Sequence, residues 1–117
     1  MSIDSVFIEQ INKAFSVGDV DFLYDHITDD VVLNQIGDSS LQGREAFINN
    51  MEPMRGVVAD KYEVNRIFTD KNSAIVEGEM SFSDENGNVN AYGFCDIYTF
   101  TDNKINNLTA FMIPINN

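Results

Sequence analysis

Ala91-Tyr92-Gly93-Phe94-Cys95-Asp96-Ile97-Tyr98-Thr99-Phe100 alternates with a period of two, the signature of a strand whose two faces differ. Tyr92, Phe94, Asp96, Tyr98 and Phe100 share one face, and Ala91, Gly93, Cys95, Ile97 and Thr99 share the other. The aromatic face has the bulk to pack against helices, so it is expected to point inward. Asp96 then stands alone among aromatic rings.

The same period holds from residue 57 onward, broken by Thr69-Asp70-Lys71-Asn72, Asp84-Glu85-Asn86-Gly87-Asn88 and Thr101-Asp102-Asn103. These turn signals lie about 16 residues apart, which leaves room for four strands of about 11–13 residues joined as a meander. Gly78 and Gly93 fall inside strands and nearly opposite one another across the turn at Asn86. Paired glycines let a sheet bend, and a bent sheet over helices encloses a hollow fit for a pocket.

Upstream the period becomes helical. Ile3, Phe7, Ile11 and Phe15, with Val6 and Ala14 beside them, form one apolar stripe. Gly18 suits the left-handed closure of that helix, and Asp19 caps a second in which Val20, Leu23 and Ile27 are apolar. Val31 to Ile36 reads as a strand, Gly37-Asp38-Ser39-Ser40 as a turn. Gly43-Arg44-Glu45 opens a third helix with Phe47, Ile48, Met51 and Met54 inward, which Pro53 ends or kinks. Helices ahead of a meander indicate an α+β fold rather than alternating βαβ units.

The chain of 117 residues suits one domain, residues 1–117. Nineteen acidic residues against seven basic ones give a net charge of −12. Such a surface repels a phosphate backbone and an anionic membrane, so neither nucleic acid nor membrane is an expected partner. Cys95 is the single cysteine and has no intrachain disulfide partner. Met1-Ser2-Ile3-Asp4 lacks the basic start and apolar stretch of a signal peptide, which favours a cytoplasmic protein. The Asn107-Leu108-Thr109 sequon would then be idle.

Several chemistries are absent from the pattern. There is no Gly-rich phosphate loop and no nucleophile elbow, and Asp84 to Asn88 lacks the spacing of a calcium loop. His26 has no cysteine or second histidine to form a zinc site with. No metal or cofactor is expected. Asp96 remains, and for it three readings are open. A carboxylate in apolar surroundings has a raised pKa and suits acid/base work. Alternatively it is structural, satisfied by Thr109, Asn107 or Tyr98, which register arithmetic brings near it. It is exposed if the faces are reversed. Arg66 shares a face with Tyr62, Val64 and Phe68; if it reached Asp96, the carboxylate would stay ionised. His26 is a further conceivable partner if its helix overhangs the pocket.

The runs Phe15 to Leu23, Ile27 to Val31, Leu41 to Phe47 and Asp96 to Ile105 together resemble the SnoaL-like branch of the nuclear transport factor 2-like superfamily, in order and over nearly the whole chain. The resemblance implies a cone-shaped α+β fold, three N-terminal helices packed on a strongly bent antiparallel sheet, with a pocket between them and frequent homodimers. Ketosteroid isomerases of this superfamily pair an Asp base with a Tyr and a protonated Asp. Those positions correspond here to Gln35, Ile11 and Asp96. An amide does not accept the substrate proton and isoleucine donates no hydrogen bond, so steroid isomerisation does not carry over. SnoaL-like polyketide cyclases, which the chain resembles more loosely, rely on an acid/base aspartate in the pocket, a part that Asp96 could serve; the rest of their site has no residue-by-residue match here.

The expectation is a pocket for a small apolar or aromatic carbonyl-containing ligand. Phe15, Met80, Tyr92, Phe94 and Phe111 would line it, with Asp96, Gln35, Tyr98 and Asn107 as polar anchors. The implied chemistry is cofactor-free proton transfer next to a carbonyl, as in isomerisation or aldol-type cyclisation. Asp96 would act as acid/base or enolate donor, assisted by Gln35 or Tyr98. The alternative is a non-catalytic binding or assembly module, a homodimer joined through Ala91, Ile97, Thr99 and Ile75 on the sheet exterior.

Overall fold

The computed structural model describes residues 3–115. Helix α1 spans Ser5–Val17 and α2 spans Val20–Tyr24; strands β1 (Ile27–Gln35) and β2 (Ser40–Gln42) follow. Next come α3 (Arg44–Met51), a 3₁₀ turn (Glu52–Met54), and strands β3 (Lys61–Asp70), β4 (Ser73–Ser83), β5 (Val89–Thr101) and β6 (Lys104–Pro114). The six strands form one sheet in the order β2-β1-β6-β5-β4-β3.

The meander from β3 to β6 is antiparallel throughout, as its three turns require. The sheet as a whole is mixed, because β1 pairs with β6 in parallel. Parallel neighbours need a crossover. Here it is the chain from β2 onward, which leaves β1, passes through α3, starts the meander at the far edge and returns. The expectation of a purely antiparallel sheet is corrected accordingly. The third helix likewise follows two strands instead of heading the chain.

Local signals behave as their chemistry dictates. Asp4 caps α1 by accepting from the Val6 N–H, and Asp19 caps α2 by accepting from the Phe22 N–H. Gly18 closes α1 at φ 71°. A Cβ there would stand 2.5 Å from the Met54 carbonyl oxygen, so this glycine also admits the loop after α3 against the end of α1. The Gly56 N–H bonds the Gly18 carbonyl at 3.0 Å.

The buried face of α1 is Ile8, Ile11, Asn12 and Ala14. That is rotated from the expected stripe: Phe7 and Phe15 are half-buried at its edge and Val6 is exposed. Ile27 is buried in β1, not in α2, which ends at Tyr24. The core joins these helices to Leu33, Phe47, Val76, Tyr98, Phe100 and Leu108.

Register in the sheet is set by bulges. A slip between Val64 and Arg66 pairs Val64 with Gly78 but Arg66 with Glu77. An extra residue turns every later side chain to the opposite face. Tyr62 and Val64 therefore face inward, whereas Arg66 and Phe68 are exposed, contrary to the shared face expected for all four. A second slip between Thr99 and Phe100 sets Asp96 opposite Ala110 and Tyr98 opposite Leu108, one place from the expected Thr109 and Asn107. Across β4 the expectation holds, with Asp96 opposite Val76. Gly78 pairs with Phe94 and Gly93 with Glu79, so the two glycines lie one position out of step.

Candidate functional site

Between the helices and the inner face of the sheet lies a cavity of about 680 Å³, a size suited to small-molecule ligands. Phe15 from α1, Leu33 and Gln35 from β1, Asn50 and Met51 from α3, and the inner residues of β3 to β6 line it. Seven residues singled out from sequence border it: Phe15, Gln35, Met80, Tyr92, Phe94, Asp96 and Phe111. Phe111 pairs with Cys95 on the outer face and also borders a second, outer concavity.

Asp96 owes its place to the inward phase of β5. Val76, fully buried, flanks it on β4, and Ala110 flanks it on β6. Gln35 of β1 pairs with the same Ala110. Gln35, Ala110 and Asp96 thus form one row across three strands, with only a methyl group between amide and carboxyl. The two outer residues are about 10 Å apart at the backbone, twice the strand spacing.

Burial pushes the Asp96 carboxyl up to about 7, against a smaller downward pull from the Tyr98 hydroxyl. The surface that Asp96 keeps opens into the cavity. Among the described residues no cation offsets the burial. Arg66 makes a bidentate pair with Glu77 at 2.6 and 3.1 Å on the exterior. His26 stacks on Phe22 at 4.3 Å and donates from Nδ1 to the Phe22 carbonyl, away from the cavity. Neither partner weighed for Asp96 from sequence meets it.

Tyr98 is fully buried behind Asp96, and its hydroxyl has no hydrogen-bond partner of ordinary geometry among the described residues. Its pKa is raised well above the usual phenol by burial, then by the Asp96 charge. An unpaired interior hydroxyl would cost about 1–3 kcal/mol; the acceptor beside it is the Asp96 carboxyl, on which it exerts its downward pull. Asn107 lies outside the cavity. It pairs with Thr99 on the outer face and accepts from Asn34 Nδ2 at 3.3 Å. Thr109 also accepts from Asn34. Two of the three partners that would have made Asp96 merely structural are thereby spent elsewhere.

Two residues of the site were missed from sequence. Tyr62 lines the cavity, its ring 5.2 Å from that of Phe94. Its pKa is raised by burial and then by the Asp96 charge, so its hydroxyl lies in the field of that carboxyl. Its inward phase was legible, but nothing marked its proximity to Asp96 across the intervening strand β4. Asn50 forms a reciprocal amide pair with Gln35, each nitrogen donating to the other's oxygen at 3.4 Å. Ser39 Oγ donates to Gln35 Oε1 at 3.3 Å. Asn50 sits on a helix 15 residues away, and no local pattern distinguishes it from a surface asparagine.

The profile of the SnoaL-like domain matches residues 8–108. The chain belongs to the SnoaL-like domain family. Among solved structures it is similar to an NTF2-like protein of unknown function from Cytophaga hutchinsonii, at 25% identity and a TM-score of 0.75 over 92% of this chain and 97% of that one. It is similar in fold to an LEH-like epoxide hydrolase from M. tuberculosis, at 19% identity and a TM-score of 0.77 over 91% and 79%. A candidate isomerase from Rhodopseudomonas palustris aligns at 15% identity and a TM-score of 0.79 over 96% and 91%. No curated protein matches the sequence. Among the described residues, no helix is long and apolar enough to cross a membrane.

Proposed function

We propose that the cavity binds a small apolar or aromatic carbonyl compound and catalyses proton transfer at the carbon next to the carbonyl. The observation that carries this reading is the Asp96 carboxyl, raised to about 7 by burial, which opens into a largely apolar cavity of about 680 Å³. A general base is most effective when its pKa lies near the working pH. Ionised Asp96 removes the proton and, once protonated, returns it, at the same carbon or at a conjugated one. The Tyr62 hydroxyl donates to the enolate oxygen that forms in between. Tyr98, behind the carboxyl, is a positioning residue. The step is cofactor-free, since the proton only moves between substrate and Asp96. Membership of the SnoaL-like family supports this reading.

The test is exchange of α-hydrogens for deuterium in D₂O, followed by proton NMR on 1-tetralone and 2-decalone. Wild type is expected to accelerate exchange, with a rate that rises through about pH 7 as Asp96 ionises. Asp96→Asn is expected to lose it, and Tyr62→Phe to slow it by about 10²-fold. Exchange that persists undiminished in Asp96→Asn rules this mechanism out.

A second reading concerns assembly. The outer sheet face exposes Phe68, Ile75, Ile97, Phe111 and Ile113, an apolar patch of the kind interfaces cover. We propose that a second copy of the chain covers it, which is compatible with an active pocket on the opposite face.

A further inference from the structure

Hydrogen-bond accounting at the Gln35 end of the cavity leaves a surplus. Gln35 Oε1 accepts from both Ser39 Oγ and Asn50 Nδ2, which uses its two lone pairs. Gln35 Nε2 gives one hydrogen to Asn50 Oδ1. One N–H of Gln35, one N–H of Asn50 and one lone pair of Asn50 Oδ1 remain, on two half-buried side chains that line the cavity. The Gln35 side-chain amide is held by Ser39 and Asn50, and the backbone that carries it is held too: its N–H donates to the Ser39 carbonyl at 2.8 Å and its carbonyl accepts from the Asp38 N–H. A ligand oxygen would meet a fixed donor pair there, with little ordering left to do.

The charges around this end point the same way. The cavity is lined by no Lys, Arg or His among the described residues, whereas Asp38 and Asp96 both border it. The protein as a whole carries −12. A carboxylate or phosphate ligand would enter against that field without a counter-charge.

We infer that the Gln35–Asn50 amide pair is a second polar subsite, and that the substrate is an uncharged, two-ended molecule. Its reacting carbonyl lies at Asp96. A hydroxyl, carbonyl or ester oxygen, roughly two strand spacings away, is gripped by the amides. A hydroxyl accepts from an amide N–H and donates to Asn50 Oδ1; a carbonyl or ester oxygen accepts from both N–H groups. The apolar body between them packs over the Ala110 methyl and against Met80 and Phe94. This inference rests on the acid/base reading of Asp96 for which end reacts, and adds what holds the other end.

The experiment is calorimetric titration of the full chain with 6-hydroxy-1-tetralone, 1-tetralone and 6-hydroxy-2-naphthoate. In wild type the two-ended ketone is expected to bind about tenfold tighter than 1-tetralone, and the anion at least tenfold weaker than the two-ended ketone. Removing one amide would strand the other, so the main variant is the double replacement Gln35→Leu/Asn50→Leu, which leaves neither partner unpaired. It is expected to bring the ratio of the two ketones to about one while holding 1-tetralone within about twofold. Gln35→Glu keeps an acceptor for the Ser39 and Asn50 donors but loses both N–H groups, the one given to Asn50 Oδ1 and the one left for the ligand, and is expected to lower the ratio too. An unchanged ratio in both variants, binding of the naphthoate as tight as that of the two-ended ketone, or no binding of either ketone overturns the inference. Deuterium exchange of 1-tetralone separates the two claims. Exchange with no selectivity for the second oxygen leaves Asp96 its role and removes the subsite. Selectivity without exchange does the reverse.

Discussion

Asp96 is the residue whose chemistry differs most from what its type would do in water. Its carboxyl moves from an ordinary 3.8 to about 7 because burial disfavours the charge. The folded protein therefore holds a proton that the unfolded chain has released between those values. Stability attributable to this group is full below about pH 4, falls as pH rises, and is lost above about 7, a difference of about 4 kcal/mol. Asp96→Asn is accordingly expected to be more stable than wild type at pH 8 by up to about 4 kcal/mol and nearly equal to it at pH 4. Urea unfolding at both pH values measures this. The surface carboxylates Asp21, Glu52 and Glu77, held below their usual range by Arg55 or Arg66, titrate alike in both proteins and cancel. An equal difference at the two pH values would show that Asp96 is not buried as a neutral acid.

At the scale of elements, two glycines let chain segments approach where a side chain cannot stand. At Gly78 a Cβ would meet the Glu63 carbonyl oxygen at 2.1 Å, across the bulged β3–β4 pair. At Gly18 it would meet the backbone of Met54, Gly56 and Val57, with φ at 71° as well. Gly18→Ala combines left-handed strain with overpacking and is expected to cost about 2–4 kcal/mol. Gly78→Ala is expected to part β3 from β4 and so to disturb Tyr62, lowering stability and ligand affinity together. Gly93→Ala, with its nearest neighbour at 3.9 Å, is the control and is expected to be close to neutral. Urea midpoints at constant m rank the three; a Gly93→Ala loss equal to that of Gly78→Ala contradicts the argument. Sequence had treated the two strand glycines as equivalent. What separates them is the bulge in the neighbouring strand, which no local pattern announces.

For the whole molecule, the charge and the outer sheet face oppose each other. The net charge of −12 repels a second copy, while Phe68, Ile75, Ile97, Phe111 and Ile113 would gain by burial at about 25 cal/mol per Å². If a second copy covers this face, association strengthens with salt, because screening removes repulsion between exposed charges and leaves apolar burial intact. Sedimentation equilibrium at 0.05 and 0.5 M salt is expected to show a dimer that tightens with salt. Ile97→Lys, placed among those residues, is expected to leave a monomer with its pocket unchanged. A monomer at both ionic strengths removes the assembly reading and leaves the pocket untouched.

Much was determined by the order of residues alone. The three helices, the four strands of the meander with their three turns, the cap at Asp19 and the closure at Gly18 follow from local chemistry, which acts within a few residues. The inward phase of β5 was likewise local, and it brought Asp96 into the cavity with Tyr92 and Phe94. Only the tertiary structure decided the rest. It set β1 parallel to β6, turned Arg66 outward, moved Asn107 to the exterior, and brought Asn50 and Tyr62 to the same cavity as Asp96. The reason is that a single extra residue in one strand reverses the facing of everything beyond it. Pairing across a sheet depends on such slips in both partners, and neither strand records them by itself.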